Sequence, residues 1–418
     1  FKQIYHETLS DMVEQTLDND LVVSELNKFE FSVREEASKA QRGLDLIGKA
    51  MTAFKYDTDP FDVLKSEKLL KEIRNKALNE NYFEELIRDN LLENPSTVTV
   101  TLSPDPEKNK KSAQEEQELL NRYEHGLEQT QVKKLVARTE ELMQLQQTPN
   151  DSETLAILPN LSLRDLPADI SFHSVGAQEI AGSTLLVNEL PTNRISYLDI
   201  GFDFSTLPHQ YLPLLDLFGA IITEIGTEKL NYVQFAKKVG ICTGGLSHSI
   251  NTYARKTEPD NVRLVFWVGL KALPEYLEQA IDLLTELFSG VCFKDRARIS
   301  EIVRREFAWA EHAAQSEGYS LPATRVFSHL SLAGRYQEQF TGITAYSKLK
   351  ELVNNYSNSE NALIEDLCRM AEILLNRNNL TITVTADGPE LKKFLDYGSR
   401  IVESLPDRIY PQQPAVPA

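Results

Sequence analysis

Residues 217–227 read LFGAIITEIGT, an apolar run of helical type, one acidic residue, then Gly226-Thr227. The run completes a longer helical pattern, HQYLPLLDLFGAIITEIG, over 209–226. On its N-terminal side STLLVNELP (183–191) and RISYLDIGFDF (194–204) alternate apolar with polar residues, so they read as a strand pair. On its C-terminal side the helical NYVQFAKKVG (231–240) precedes a second strand pair, GGLSHSINTYARK (244–256) and VRLVFWVGL (262–270). Helical periodicity then dominates, in ALPEYLEQAIDLLTELF (272–288) and KDRARISEIVRREFAWAEHAA (294–314), before NLTITVTADGPELKKFL (379–395) closes the block with a strand and a helix. Strand pairs followed by runs of helices specify an α+β domain with an antiparallel-rich sheet packed by helices.

Upstream, residues 1 to about 95 repeat apolar side chains at spacings of three and four, as in VVSELNKFEFSVREEA (22–37), RGLDLIGKAMTAFKY (42–56) and YFEELIRDNLLEN (82–94), which predicts successive amphipathic helices. Asp59-Pro60 is a capping residue followed by a proline suited to a first turn, so it predicts a helix start. STVTVTLSPDP (96–106) switches to alternating β-branched residues and predicts a strand. Two polar segments, 107–127 and 129–147, read as an exposed helical hairpin broken near Gly126, and TPNDSETLAILPNLSLRDLP (148–167) as a connector. STVTVTLSPDPEK echoes NLTITVTADGPEL in its alternation, turn and polar continuation, which suggests one kind of domain used twice.

With 41% apolar and 25% charged residues in 418, the composition is that of a globular protein large enough for more than one core. A net charge of −18 without a Lys/Arg stripe argues against a nucleic-acid partner, and no apolar run approaches a bilayer span, so neither a nucleic-acid nor a membrane partner is expected. Cys242, Cys292 and Cys368 are an odd, widely spaced set without C-x-x-C, unlike a disulfide framework or a cysteine zinc site. Bacterial cytoplasm fits this usage best, and an organelle matrix or stroma also fits. Phe1 opens the chain within a helical pattern and PDRIYPQQPAVPA (406–418) reads as a linker, so a piece of a longer protein is expected.

The seven histidines include no pair three or four apart on one helix, so no zinc site of that kind is expected. GICTGGLSHS (240–249) holds glycines, Cys242 and His248, but the glycines follow a helix and precede a strand, the reverse of a phosphate loop. Gly240 reads as a helix stop, Gly244-Gly245 as a place of close backbone approach, and Cys242 as a neutral thiol without an activating partner.

The order strand pair, helix, Gly-Thr, helix, Gly-Gly, strand pair, long helices resembles one half-domain of the pitrilysin/insulinase zinc metallopeptidases. FKYDTDPFDVLKSEKLL (54–70), NPSTVTVTLSPDPEK (94–108), RTEELMQLQQTPNDSETLAILPNLSLRDLP (138–167) and GTEKLNYVQFAKKVGICTGG (226–245) are similar to the presequence-protease-like branch, in the same order. An active half carries H-x-x-E-H on the first helix, a short way before Gly-Thr. Aligning Gly226-Thr227 on that pair puts the two histidine positions at Leu217 and Ile221 and the glutamate position at Ala220, all aliphatic; Glu306 is the nearest counterpart of the third ligand.

The resemblance implies four α/β domains in two halves around a chamber. Residues 1–105 become the C-terminal part of the second domain, 106–167 the helical hairpin and linker, 168–406 a zinc-less third domain, and 407–418 a linker to a fourth. It implies zinc in the parent enzyme, none held by this chain and no catalytic residue in it. Implied partners are unstructured peptides, basic ones favoured by the negative charge, together with the first and fourth domains. It further implies an edge strand at Gly244, Gly245, Leu246 and Ser247, which either receives peptide or is closed off by neighbouring structure. The alternative is a non-catalytic structural or scaffold subunit of the same fold.

Overall fold

The computed structural model describes residues 1–36, 39–166 and 172–417. The expected boundary between linker and third domain, at 167/168, lies outside them. Residues Phe1–Glu93 and His173–Ala418 form one compact unit and Asn94–Phe172 another.

In the larger unit the alternating segments build one mixed sheet. Its strands are β1 (Gly176–Ile180), β2 (Ser183–Glu189), β3 (Ser196–Asp203), β4 (Leu246–Arg255), β5 (Glu258–Ala272) and β6 (Leu380–Ala386), ordered β1-β2-β6-β3-β5-β4. β4 and β5 pair antiparallel as the sequence predicts. β2 and β3 do not pair with each other: β6 inserts between them, parallel to β2 and antiparallel to β3. β6 is buried along nearly its whole length, and a strand of that character takes the sheet centre, where both of its edges are paired.

One face of the sheet makes the core. Leu198, Ile200 and Phe202 of β3 stand opposite Leu270, Val268 and Phe266 of β5, and Val384 and Ile382 of β6 flank the first two. All join one apolar cluster with the helices Leu215–Ile222, Leu277–Gly290 and Tyr356–Leu374. On the opposite face Asp199, Ser247, Ser249 and Asn251 are exposed.

The N-terminal helices Asn19–Glu36 and Ser66–Asn79 bury a small core of their own around Val22, Leu26, Leu70 and Ala77. Phe31 joins Ile195 and Leu273 in another cluster, Asn27 Nδ2 donates to the Ile241 carbonyl at 2.8 Å, and Lys271 Nζ lies 2.7 Å from Glu35. Gly240, expected to stop a helix, instead lies inside Tyr232–Cys242. A Cβ there would come within 2.0 Å of Ser24 Oγ, so the glycine serves helix approach rather than termination. Asp59 accepts from Phe61 N at 2.8 Å and leads into a short 3-10 turn, and the following helix begins only at Ser66. Residues 407–417, expected as a linker, are tied down: Asn376 Nδ2 donates to the Arg408 carbonyl, Gln413 N to the Ser205 carbonyl at 2.8 Å, and Val416 is buried.

In the smaller unit the helices Lys108–His125 and Gln129–Gln147 flank Gly126 as expected, and the Gln131 side chain accepts from Glu128 N at 2.8 Å at the second helix start. Neither helix buries a residue. The strand expected over 96–106 is not formed. Val98, Val100 and Leu102 are 82%, 75% and 91% exposed, because alternation prepares a face but a strand also needs a neighbour for its backbone groups. The double variant V98K/V100K is therefore expected to unfold within about 0.5 kcal/mol of the parent chain in a urea titration. A loss of about 2 kcal/mol would mean that this segment is packed in solution.

Candidate functional site

The helix Leu215–Ile222 follows a 3-10 turn, His209–Leu214, and Pro213 within that turn separates the two. Leu217, Ala220 and Ile221 are 5%, 6% and 0% exposed and belong to the main core. Phe218 beside them packs on Phe266 and Phe293, with ring centroids 5.7 and 6.4 Å away. The helix ends in a braced turn. Gly226 has φ +96°, Thr227 N donates to the Leu230 carbonyl at 2.8 Å, and Thr227 Oγ1 donates to Glu286 at 2.7 Å while accepting from Lys229 N and Leu230 N.

Glu306 lies on the long helix Arg296–Ser316 and lines the same cleft as Leu217 and Trp309. Its carboxylate is occupied: Arg305 donates to it through Nε at 3.1 Å and Nη2 at 2.8 Å. Arg305 also grips Glu224 through Nη1 and Nη2 at 2.8 and 2.7 Å, and Arg298 donates to Glu224 at 2.7 Å. The Glu224 hydrogen bonds, outweighing burial, hold the Arg305 guanidinium far above its ordinary range, so it stays charged at every working pH. Two guanidinium groups thus neutralise the two carboxylates.

Zinc therefore does not fit these residues. The three positions on the helix offer no donor atom, and Glu306 is committed to Arg305. Among the described residues no group of three or more His, Cys, Asp or Glu is placed to hold a metal ion.

Gly244 N donates to the Lys271 carbonyl at 2.7 Å, and a Cβ on Gly244 would meet Lys271 and Phe31 at 2.7 and 2.8 Å, so backbone approaches its neighbours closely here. Gly245 has φ +120° and turns the chain into β4, whose Leu246 and Ser247 pair with Leu270 and Gly269 of β5. β4 is the terminal strand of the sheet, paired on one side only among the described residues. Its His248 ring sits against Gly219, where a Cβ would fall 2.2 Å from His248 Cδ2, and His248 Nε2 lies 3.1 Å from Asp216 Oδ1. This His248–Asp216 pair escaped the sequence reading, because residues 32 apart in the chain meet only after the strand is laid on the helix. Burial pushes the Cys242 thiol up, away from the thiolate a nucleophile needs.

The fold is α+β, one mixed sheet whose apolar face is packed by helices. The chain belongs to the family associated with subfamily C of the M16 peptidases, whose model matches residues 102–352, and within it to the presequence-protease-like branch. It is 30% identical over 411 residues to "Presequence protease 1, chloroplastic/mitochondrial" of Arabidopsis thaliana, covering 97% of this chain and 38% of that protein. It is 29% identical over 396 residues to "Protein HypA" of Clostridium perfringens (strain 13 / Type A), covering 94% of this chain and 40% of that protein. A solved peptidase M16 inactive domain from Pseudomonas fluorescens aligns with a TM-score of 0.38 at 15% identity, covering 59% of this chain and 53% of that one. The chain thus spans about two fifths of the length of these curated relatives. Relatives include bacterial, mitochondrial and chloroplast proteins, and no helix among the described residues is long and apolar enough to cross a membrane.

Proposed function

We propose that this chain is the non-catalytic middle portion of a zinc metalloendopeptidase that degrades unstructured, presequence-like peptides in a closed chamber. In this reading residues 1–105 belong to the second domain, 106–167 link the halves, 168–406 are a third domain that shapes the chamber wall, and 407–418 lead towards a fourth. The zinc ligands and the general base would come from elsewhere in the parent protein, and the zinc would polarise the carbonyl of the peptide substrate. The observation that carries the reading is the burial of Leu217, Ala220 and Ile221 in the helix Leu215–Ile222: aligned on the metal motif through Gly226-Thr227, all three positions hold core side chains. Its neighbour β4 has one unpaired edge among the described residues, which favours an extended peptide adding as a further strand beside Gly244–Ser247.

The test is a reconstitution. The chain alone is expected to carry no stoichiometric zinc by elemental analysis and to leave an unstructured peptide intact. Mixed with the portion of the parent protein that bears H-x-x-E-H, it is expected to restore cleavage. A parent protein without that motif anywhere in its sequence would decide for the scaffold alternative. Cleavage by the chain alone, abolished by a chelator, would overturn both readings.

A further inference from the structure

The face of the sheet opposite the main core carries an acid near its middle that is unpartnered among the described residues. Asp199 of β3 stands opposite Gly269 of β5 and Thr383 of β6, with Ser247 of β4 beyond Gly269. Among the described residues no hydrogen bond or ion pair holds its carboxylate. Two glycines shape the space around it. A Cβ on Gly269 would lie 2.8 Å from Asp199 Oδ1, and one on Gly201 would lie 2.6 Å from Trp267 Cζ3. The carboxylate and the indole thus rest directly on bare backbone, and Trp267 Nε1 donates to the Tyr253 hydroxyl at 3.0 Å to fix the ring.

Two basic side chains of this face, Lys271 and Arg263, are engaged elsewhere. Lys271 pairs with Glu35 at 2.7 Å, and Arg263 donates to Thr381 Oγ1 at 3.1 Å. Tyr197, the next residue on the same face of β3, donates its hydroxyl to Glu35 at 3.2 Å. Asp199 keeps an exposed side, yet crowding by the neighbouring strands pushes its carboxyl up. Folding thus disfavours the ionised form: the penalty is absent below the unfolded pKa and complete above the raised folded one. An acid that costs stability at neutral pH, set beside a fixed aromatic pair in a chain of net charge −18, is complementary to an incoming cation.

We propose that Asp199 seats the guanidinium or ammonium group of a basic side chain, carried by an extended peptide lying across the open sheet face, with the Trp267–Tyr253 pair bearing its aliphatic stem. This rests on the reading of the chain as a peptide-facing wall, and deepens it by naming the side-chain chemistry that the wall selects.

The test uses the whole chain with Trp309→Phe, leaving Trp267 as its only tryptophan. A blocked, unstructured alanine/serine peptide with one central arginine is titrated to about 10 mM, beside a twin in which neutral citrulline replaces the arginine. The arginine peptide is expected to change Trp267 fluorescence saturably and to bind about fivefold more tightly than its twin. Asp199→Asn is expected to abolish that preference while melting at the same or a higher temperature than its parent at neutral pH. Equal binding of the two peptides, a preference that survives Asp199→Asn, or no saturable change would overturn the proposal. None of these outcomes touches the reconstitution assay, whose zinc and cleavage readouts do not involve Asp199.

Discussion

Installing H-x-x-E-H at the aligned positions by L217H/A220E/I221H is expected to unfold the chain rather than to create a zinc site. Leu217, Ala220 and Ile221 are 5%, 6% and 0% exposed within one core. Each substitution places a polar or ionisable group there, at roughly 2–5 kcal/mol apiece, and together they approach the roughly 5–15 kcal/mol that holds a typical domain folded. Zinc is not expected to rescue the variant, because the counterpart of the third ligand, Glu306, is held at 2.8 Å by Arg305. Loss of the near-ultraviolet circular dichroism signal at 25 °C, with and without added zinc, is the measurement. A folded triple variant binding one zinc per chain would show that packing around this helix is permissive and that the Arg305 contact yields readily.

Gly226→Ala is expected to cost about 3 kcal/mol in a urea titration. Alanine at φ +96° carries a left-handed backbone penalty of roughly 1–2 kcal/mol, and its Cβ would sit 2.5 Å from the Leu230 carbonyl oxygen, adding roughly 1–3 kcal/mol of overpacking. Thr227 depends on the same turn for its bond to Leu230 and for presenting Oγ1 to Glu286. A loss below about 1 kcal/mol would mean that the turn relaxes, and that Gly-Thr is not the brace between this helix and the next.

The parts of this structure governed by local chemistry are legible in the sequence, and the parts governed by distant partners are not. The alternation of SYLDIGFD and LTITVTA identifies β3 and β6 and their apolar faces. It is silent on the insertion of β6 between β2 and β3, since pairing order depends on segments nearly 200 residues apart. The same limit applies to VTVTL, where an equally regular pattern stays exposed without a neighbour. Gly240 has the composition of a helix stop, yet its use is set by Ser24, more than 200 residues earlier. At the candidate site, the aliphatic character of Leu217, Ala220 and Ile221 could be read directly. The engagement of Glu306 by the adjacent Arg305 lies between these extremes: the neighbour is visible in the sequence, but Glu224, which anchors the same guanidinium, is 81 residues away.

The central position of β6 also sets a timetable for folding. Among the described residues Leu380–Ala386 is the last strand in the chain and the only one that joins the β1-β2 ribbon to the β3-β5-β4 ribbon. During synthesis the β1-β2 hairpin and the β3-β5-β4 ribbon can form separately, each with one strand edge whose backbone groups are unpaired, but β6 cannot join them until residue 386 has been made. The interval between them is the time taken to produce about 110 residues of helix, at roughly 5–20 residues per second. For that period the edges of β2 and β3 are open to pairing with any other extended chain, and a nascent-chain chaperone has most to protect at that stage of the protein's life.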